Sequence, residues 1–241
     1  MPQIEVFPDS DALANHAATV FQDLANAAIT KSNRFAVTLS GGSTPKKMYE
    51  KLVHANLDWS RIHFFWVDER CVPPDHPDSN YRMAADALLD QIDIPSSSIH
   101  RIMGELSLND AARDYENELR LFFLNRLPVF DLILLGLGTD GHTASLFPGS
   151  TALKEKEHWA MGVRHDTPPP PLVDRVTLTF PVLNAGKNIT FLVSGRDKAN
   201  IVACGFGDPK NPLQIPVQEI ISTARNIRWL LDKDSAGDLS A

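Results

Sequence analysis

The sequence has little cysteine and no pattern of metal ligands. Its two cysteines, Cys71 and Cys204, lie far apart in a chain of 241 residues and form no CxxC pair. This argues against a disulfide framework, and we expect reduced thiols of a cytoplasmic protein. No cluster of histidine and cysteine has the spacing of metal ligands, so we expect no metal site.

Long apolar runs and an excess of positive charge are also absent. No apolar run approaches the ~20 residues of a membrane span, and the N-terminus lacks the basic and apolar segments of a signal peptide. Lys and Arg number 23 against 30 Asp and Glu, which gives a formal charge of −7. We therefore expect a protein that binds neither membrane nor nucleic acid. Any anion site must be a local cluster of basic groups and backbone N–H donors.

The chain does have a regular alternation of predicted strands and helices. Its hydrophobic fraction of 43% is enough for a sizeable core, and one domain over residues 1–241 is the simplest organisation. Short apolar runs predict strands at residues 35–39, 62–67, 132–135, 159–163, 176–180, 188–193 and 227–231, and a further short strand is predicted at 99–102. This order predicts an α/β fold, an open, doubly wound, mostly parallel sheet flanked by helices and Rossmann-like in type.

The most informative stretch runs from Phe130 to Gly149. Its apolar run 132–135 reads as a buried strand of a parallel sheet, and a glycine-rich turn follows at once. Asp140 and His142 lie in that turn, at the sheet edge where α/β proteins place their ligands. A histidine side chain ordinarily titrates near neutrality and suits proton transfer, and the aspartate can orient it or bind a hydroxyl. The alternative is a hydrogen-bonded turn with no chemical role.

The glycines of this turn also spell a dinucleotide-binding fingerprint. Gly136, Gly138 and Gly141 match G-x-G-x-x-G, but that fingerprint opens a long helix and is followed by an acidic residue about 20 positions on. Pro148 and Gly149 interrupt the pattern soon after the histidine. A nicotinamide-dependent dehydrogenase is therefore an alternative that the sequence does not favour.

A second glycine turn follows the first predicted strand. The segment Ser40–Pro45 joins that strand to a helix predicted from about residue 46 to 54, with Ser43 or Thr44 as its cap. Exposed N–H groups at Gly41 and Gly42, together with the helix dipole, predict an anion site. The alternative is a capped turn that binds nothing. A Walker loop is excluded because the G-K-[ST] ending is missing.

Charged residues follow two further strands. Asp68–Arg70 comes after the strand at 62–67, and Ser194–Lys198 comes after the strand at 188–193. A lysine near a helix N-terminus, as Lys198 is, is disfavoured by the dipole unless an anion binds beside it. Turns that follow parallel strands share one edge of the sheet, so we expect these to converge with the others. A solvated rim is the alternative for both groups.

Five stretches in this order resemble the 6-phosphogluconolactonase family, within a wider group that includes glucosamine-6-phosphate deaminases. The resemblance covers nearly the whole chain. The stretches are Ser-Gly-Gly-Ser-Thr-Pro from Ser40, Asp-Glu-Arg-Cys-Val-Pro from Asp68 with Ser79-Asn80-Tyr81 downstream, Gly-Leu-Gly-Thr-Asp-Gly-His-Thr-Ala-Ser-Leu-Phe-Pro-Gly from Gly136, Arg-Val-Thr-Leu-Thr from Arg175, and Ser-Gly-Arg-Asp-Lys from Ser194.

The resemblance implies hydrolysis of 6-phospho-D-glucono-1,5-lactone to 6-phospho-D-gluconate in the oxidative pentose phosphate pathway. His142 would be the general base and Asp140 would orient it or hold the sugar, with no metal or organic cofactor. The backbone N–H groups of Gly41 and Gly42 are the candidate oxyanion donors. The other residues implied to bind the sugar phosphate are Arg70 and Lys198 at the phosphate, joined by Arg175, Ser43, Thr44 and Asp68. The extended loop Thr167–Pro171 is expected near the site.

Two alternatives share this fold. In the deaminases the loop after the histidine reads like H-[IV]-[AG]-F-N-E-P, with a carboxylate before the proline. Here Phe147 precedes Pro148, so that carboxylate is absent. A sugar-phosphate sensor without enzymatic activity carries a helix-turn-helix segment, and this chain has little length left for one. The partner is therefore expected to be a small sugar-phosphate lactone.

Overall fold

Strands and helices alternate along the chain, and a computed structural model describes residues 2–166, 170–224 and 226–240. The strands are β1 (Gln3–Phe7), β2 (Phe35–Leu39), β3 (Ile62–Trp66), β4 (Asp68–Arg70), β5 (Leu132–Leu135), β6 (Ala160–Val163), β7 (Arg175–Leu178), β8 (Ile189–Val193) and β9 (Ile227–Asp232). The helices are α1 (Ser10–Ser32), α2 (Ser43–Leu52), α3 (Asn80–Ala87), α4 (Leu108–Phe122), α5 (Phe180–Ala185), α6 (Ala199–Phe206), α7 (Val217–Thr223) and α8 (Lys233–Ala236).

The larger sheet has six strands in the order β1-β9-β8-β5-β2-β3, and all of its pairings are parallel. Every residue of β2, β5 and β8 is buried. Helices cover both faces of such a sheet, which is why these strands are continuous apolar runs without alternation. The predicted fold class is confirmed.

The order of the strands creates a crevice between β2 and β5. From β2 the chain passes to β3 on one side, whereas β5 lies on the other side of β2. The connections that leave these two strands therefore diverge, and a cleft opens beyond their carboxyl ends. The glycine turns that follow β2 and β5 both lie at this cleft.

A second, antiparallel sheet of three strands in the order β4-β7-β6 was not predicted. The chain passes from one sheet to the other at Val67, whose N–H donates to the Leu39 carbonyl at 2.9 Å and whose carbonyl accepts from Leu178 N–H at 2.8 Å. Residues 68–70, expected to be a turn, are strand β4. Their register places Arg70 opposite Arg175. The apolar pattern predicted a strand near residue 176 but could not specify its partner.

One strand was not predicted, and two local predictions differ from the structure. Strand β1 was not predicted because its residues are only half-buried or exposed. The strand predicted at 99–102 is reduced to an isolated bridge between Ile99 and Phe64. The predicted cap of α2 by Ser43 or Thr44 is wrong, because the N-cap is Gly42, which has no side chain to accept a bond.

Helix α1 begins with a side-chain cap. Asp9 caps α1 by accepting from the backbone N–H of Asp11 at 3.0 Å and of Ala12 at 2.8 Å, which satisfies donors that a first helical turn leaves unpaired. The buried side chains of α1, among them Leu13, Phe21 and Ala25, recur at helical spacing and pack on the sheet. Within the described part of the chain, no helix is both long and apolar enough to cross a membrane.

Candidate active site

A cavity of about 320 Å³ lies at the carboxyl edge of the larger sheet, at the crevice between β2 and β5. It is lined by the turns after β2, β5 and β8 and by residues of the small sheet. All the predicted site residues except Asp140 line it: Gly41, Gly42, Ser43, Thr44, Asp68, Arg70, His142, Arg175 and Lys198. The expected convergence of separate turns is therefore observed. Pro170 lines the cavity as well, whereas residues 167–169 of the predicted loop lie outside the described residues.

His142 and Asp140 form a hydrogen-bonded pair in the turn after β5. Nδ1 of His142 lies 2.6 Å from Oδ1 of Asp140, and the backbone N–H of His142 donates to the same oxygen at 3.1 Å. A carboxylate only accepts, so Nδ1 carries the proton and the imidazole is held in one tautomer. Among the described residues, none is hydrogen-bonded to Nε2, which leaves that nitrogen available as a base.

The environment of Asp140 favours its ionised form. Burial raises the pKa of this carboxyl, but the hydrogen bond and charge of His142 act in the opposite direction and leave the pKa below its ordinary value. Asp140 itself lies behind the imidazole, on a second cavity of about 610 Å³. Asp140 therefore contacts His142 without lining the first cavity.

Gly138 permits the close packing of this pair. A Cβ atom at this position would lie 2.1 Å from Nδ1 of His142 and 2.7 Å from Oδ1 of Asp140. Since real Cβ atoms do not approach so closely, only glycine accommodates the imidazole here. The backbone N–H of Gly138 donates to the His142 carbonyl at 2.8 Å and closes the turn.

Three cationic side chains line the cavity, although the chain is acidic overall. Nη1 of Arg70 donates to the Asp78 carbonyl at 2.6 Å, and its Nε is buried without a hydrogen-bond partner in the described structure. Arg175 is 4% exposed, and burial lowers the pKa of its guanidinium more than the nearby Asp68 charge raises it. Lys198 lies at the N-cap of α6, next to Asp197 at 3.6 Å. Together these groups bring three positive charges to one cavity of an acidic protein, an arrangement that suits an anionic ligand.

The N-terminus of α2 contributes backbone donors to the same cavity. Gly42 has φ +109°, in the region that favours glycine, and the first N–H groups of the helix have no intrahelical partner. The hydroxyls of Thr44 and Ser194 lie 2.7 Å apart. This contact joins the segment after β2 to the turn after β8. The Thr44 hydroxyl therefore bonds to Ser194 and does not cap the helix.

Asp68 is held in a fixed orientation by two neighbours. Its Oδ2 accepts from the Ser145 hydroxyl at 2.6 Å, and Nδ2 of Asn80 donates to its backbone carbonyl at 3.0 Å and to Oδ1 at 3.3 Å. Asn80 also packs against Gly41, where a Cβ atom would lie 2.0 Å from the amide oxygen. The sequence did not predict that Asn80 lines the cavity, because the motif Ser79-Asn80-Tyr81 indicates only the start of a helix.

Glu69, the middle residue of β4, has a structural role. This carboxylate is 2% exposed and accepts from the backbone N–H groups of Asn80 and Tyr81, each at 2.7 Å, and from the Ser79 hydroxyl at 3.0 Å. Burial raises the pKa of Glu69 against the effect of these bonds. It satisfies the donors at the start of α3 and does not line the cavity.

The remaining alternatives can be compared with the site. The turn that contains Gly136, Gly138 and Gly141 leads into an irregular loop and not into the helix that a dinucleotide fingerprint requires. In the described part of the chain, no group of three or more His, Cys, Asp or Glu side chains could hold a metal ion. Ser40 was overlooked by sequence reasoning. It lines the cavity, and its hydroxyl is buried without a partner among the described residues.

Comparison with known proteins gives concordant matches. The sequence pattern of the family described as glucosamine-6-phosphate isomerases/6-phosphogluconolactonase matches residues 8–229. The chain is 40% identical to a 6-phosphogluconolactonase of Synechocystis sp., over 99% of this chain and 98% of the relative. It is 39% identical to one of Nostoc sp., over 98% of each. The solved structure of 6-phosphogluconolactonase from Trypanosoma cruzi superposes with a TM-score of 0.89 at 31% identity, over 100% of this chain and 98% of that one.

Proposed function

The chain belongs to the family of glucosamine-6-phosphate isomerases and 6-phosphogluconolactonases, and on that premise we propose that it hydrolyses 6-phospho-D-glucono-1,5-lactone to 6-phospho-D-gluconate in the oxidative pentose phosphate pathway. Relatives that carry the name 6-phosphogluconolactonase match almost the whole chain at about 40% identity. The observation that carries the proposal is the shared cavity of His142 and three cationic side chains. The family match from residue 8 to 229 supports residues 1–241 acting as one domain.

The proposed chemistry begins with water. Nε2 of His142 accepts a proton from a water molecule while the water oxygen attacks the lactone carbonyl carbon. Asp140 holds the imidazole through Nδ1 and stabilises the positive charge that develops on the ring. The carbonyl π bond opens and its electron pair moves to the carbonyl oxygen, so a tetrahedral oxyanion forms.

Backbone donors stabilise the oxyanion, and His142 protonates the leaving group. The backbone N–H groups of Gly41 and Gly42 are the candidate donors to the oxyanion, where fixed dipoles stabilise developing charge. As the carbonyl re-forms, the bond from its carbon to the ring oxygen breaks, and protonated His142 returns its proton to that oxygen. An ester bond is broken without oxidation or reduction, so the reaction needs no redox cofactor.

The phosphate is bound at the cationic side of the cavity. Arg70 and Lys198 are the proposed phosphate ligands, with Arg175 and the hydroxyls of Ser43 and Thr44 beside them, and Asp68 is placed to accept from a sugar hydroxyl. Because a phosphate dianion has several acceptor oxygens, separate cations can bind it without competing. Glucosamine-6-phosphate deamination is less well supported, because Phe147 stands where a carboxylate would be needed.

The test is a comparison of His142→Ala and Asp140→Asn with the parent protein. Losing a general base typically lowers the rate by about 10²–10⁴, so we expect a kcat loss of that size for the His142 variant and little change in KM. Asp140→Asn should cost less, because it removes only the orienting charge. His54→Ala, at an exposed histidine outside the cavity, is the matched control and should retain parent kcat.

Two results would contradict the proposal in different ways. If folded parent protein consumes fresh lactone no faster than the spontaneous reaction, the function is wrong. If the parent is active and His142→Ala keeps its kcat, the function stands and the base is a different group. Release of ammonia from glucosamine 6-phosphate should be absent in the parent.

A further inference from the structure

Phe147 packs directly against His142, on the side away from the first cavity. The two ring centroids lie 4.5 Å apart with the planes inclined at 49°. Phe147 is 9% exposed, and together with Asp140 it lines the second cavity of about 610 Å³. The phenyl ring thus stands between that larger space and the imidazole.

Other groups hold the phenyl ring in place. The imidazole of His165, which is 4% exposed, stacks on it at 4.2 Å with an interplanar angle of 15°. The guanidinium of Arg175 lies 5.7 Å from its centroid. A ring packed in this way has little freedom to turn, so it presents a fixed surface to His142.

The hydrogen bond from Asp140 does not by itself define how the imidazole is tilted. It restrains one atom, Nδ1, and the ring can still pivot about that contact. Gly138 allows close approach on one side, where even a methyl group would collide. A second surface is needed to prevent pivoting the other way, and Phe147 is in contact with the ring.

We propose that Phe147 is a positioning residue for His142, one that sets the tilt of the imidazole and so keeps Nδ1 aligned with Asp140. This inference rests on the proposed function for its kinetic consequence. The effect should fall on kcat, because Phe147 is not in the first cavity. Arg175 is held independently by bonds to the carbonyls of Pro171 and Val173, so KM should change little.

The experiment compares Phe147→Leu, Phe147→Tyr and Phe130→Leu with the parent. The leucine at 147 removes the ring but keeps an apolar side chain. We expect kcat to fall about three- to tenfold, the range that corresponds to an aromatic pair, with KM within about twofold. The tyrosine keeps the ring and should restore kcat. Phe130 is fully buried at the opposite end of β5, so its leucine variant should lower the melting temperature and leave kcat unchanged.

A spectroscopic measurement makes the test independent of turnover. The ring current of Phe147 should displace the C–H proton signals of His142, assigned by their loss in His142→Gln. Loss of the phenyl ring moves these C–H signals whether or not it positions His142, so the deciding signal is that of the Nδ1–H proton. In Phe147→Leu this proton should exchange with water faster, because an imidazole that pivots loosens its bond to Asp140, whereas Phe147→Tyr and Phe130→Leu should exchange at the parent rate. A parent-like exchange rate or kcat in Phe147→Leu, or equal kcat losses in both leucine variants, would overturn the proposal. An inactive parent would refute the function alone, because the exchange rate would still decide whether Phe147 positions His142.

Discussion

Replacing Gly138 with alanine adds one methyl group beside the His142–Asp140 pair. The new Cβ would lie 2.1 Å from Nδ1 and 2.2 Å from Cε1 of the imidazole. To restore an ordinary contact of 3.4 Å from 2.1 Å, the ring has to retreat by roughly 1.3 Å. The backbone of Gly138 is not in the positive-φ region, so alanine is compatible with the main chain and the effect is steric.

That displacement acts on the proposed base and not on the phosphate site. A misplacement of about 1 Å can cost 10²-fold in rate, and complete loss of a general base costs about 10²–10⁴. We therefore expect kcat to fall about 100-fold, approaching the value of His142→Ala. KM should stay within a few-fold of the parent, because Arg70 lies on β4 and Lys198 lies at the start of α6.

The assay is the initial rate on freshly prepared lactone after subtraction of the spontaneous rate. Gly205→Ala, in α6 and outside the first cavity, is the matched control, because a Cβ atom there would make only ordinary contacts of 3.4 and 3.7 Å and should leave kcat near the parent value. Melting temperatures of both variants show whether the fold is intact. The reasoning is refuted if Gly138→Ala keeps kcat within about threefold of the parent, or if both variants lose it equally.

Two more predictions concern the phosphate site and acid stability. Arg70→Ala or Lys198→Ala should lower kcat/KM for the phosphorylated lactone at least about tenfold, since a charge-assisted hydrogen bond contributes roughly 1.5–3 kcal/mol. Turnover of unphosphorylated gluconolactone should barely change. An equal loss on both lactones would contradict the assignment of these residues to the phosphate. The pKa of His63 is lowered from 6.5 to about 4 by burial, with His100 and Arg34 adding to the effect. The unfolded chain therefore binds this proton at higher pH than the folded one, and stability should fall as the pH drops from 6.5 toward 4. In His63→Phe, the loss of unfolding free energy over this pH range, measured by urea denaturation, should be smaller by on the order of 1–2 kcal/mol after allowance for partial exposure. The same pH dependence in the variant and the parent would refute this prediction.

Much of the architecture could be predicted because it depends on local pattern. The runs 35–39, 132–135 and 189–193 are apolar at every position or nearly so, which is the pattern of strands buried on both faces. Strand β1 escaped prediction for the same reason, since an edge strand with exposed residues has no such pattern. The small sheet was missed because a strand pattern does not identify the strand with which it pairs.

The candidate site likewise contains some residues that a local pattern identifies and others that it does not. His142 and Asp140 were identified because both lie in one short turn, where spacing along the chain limits distance in space. Asn80 was not identified, because it contacts Gly41 from a distant part of the chain and no local sequence pattern predicts that contact. Phe147 could be recognised from the sequence only as the absence of a carboxylate, and its packing on His142 and His165 became visible in the structure.

The sequence by itself determined which segments are buried strands, where the backbone turns at glycine, and which turn holds a histidine and an aspartate. These properties depend on side-chain polarity and backbone freedom over a few residues. The tertiary structure decided which distant side chains meet, such as Thr44 with Ser194 and Asp68 with Ser145. Such contacts depend on how helices and strands pack across the whole chain, because only close packing brings residues separated by 150 or 77 positions to hydrogen-bonding distance.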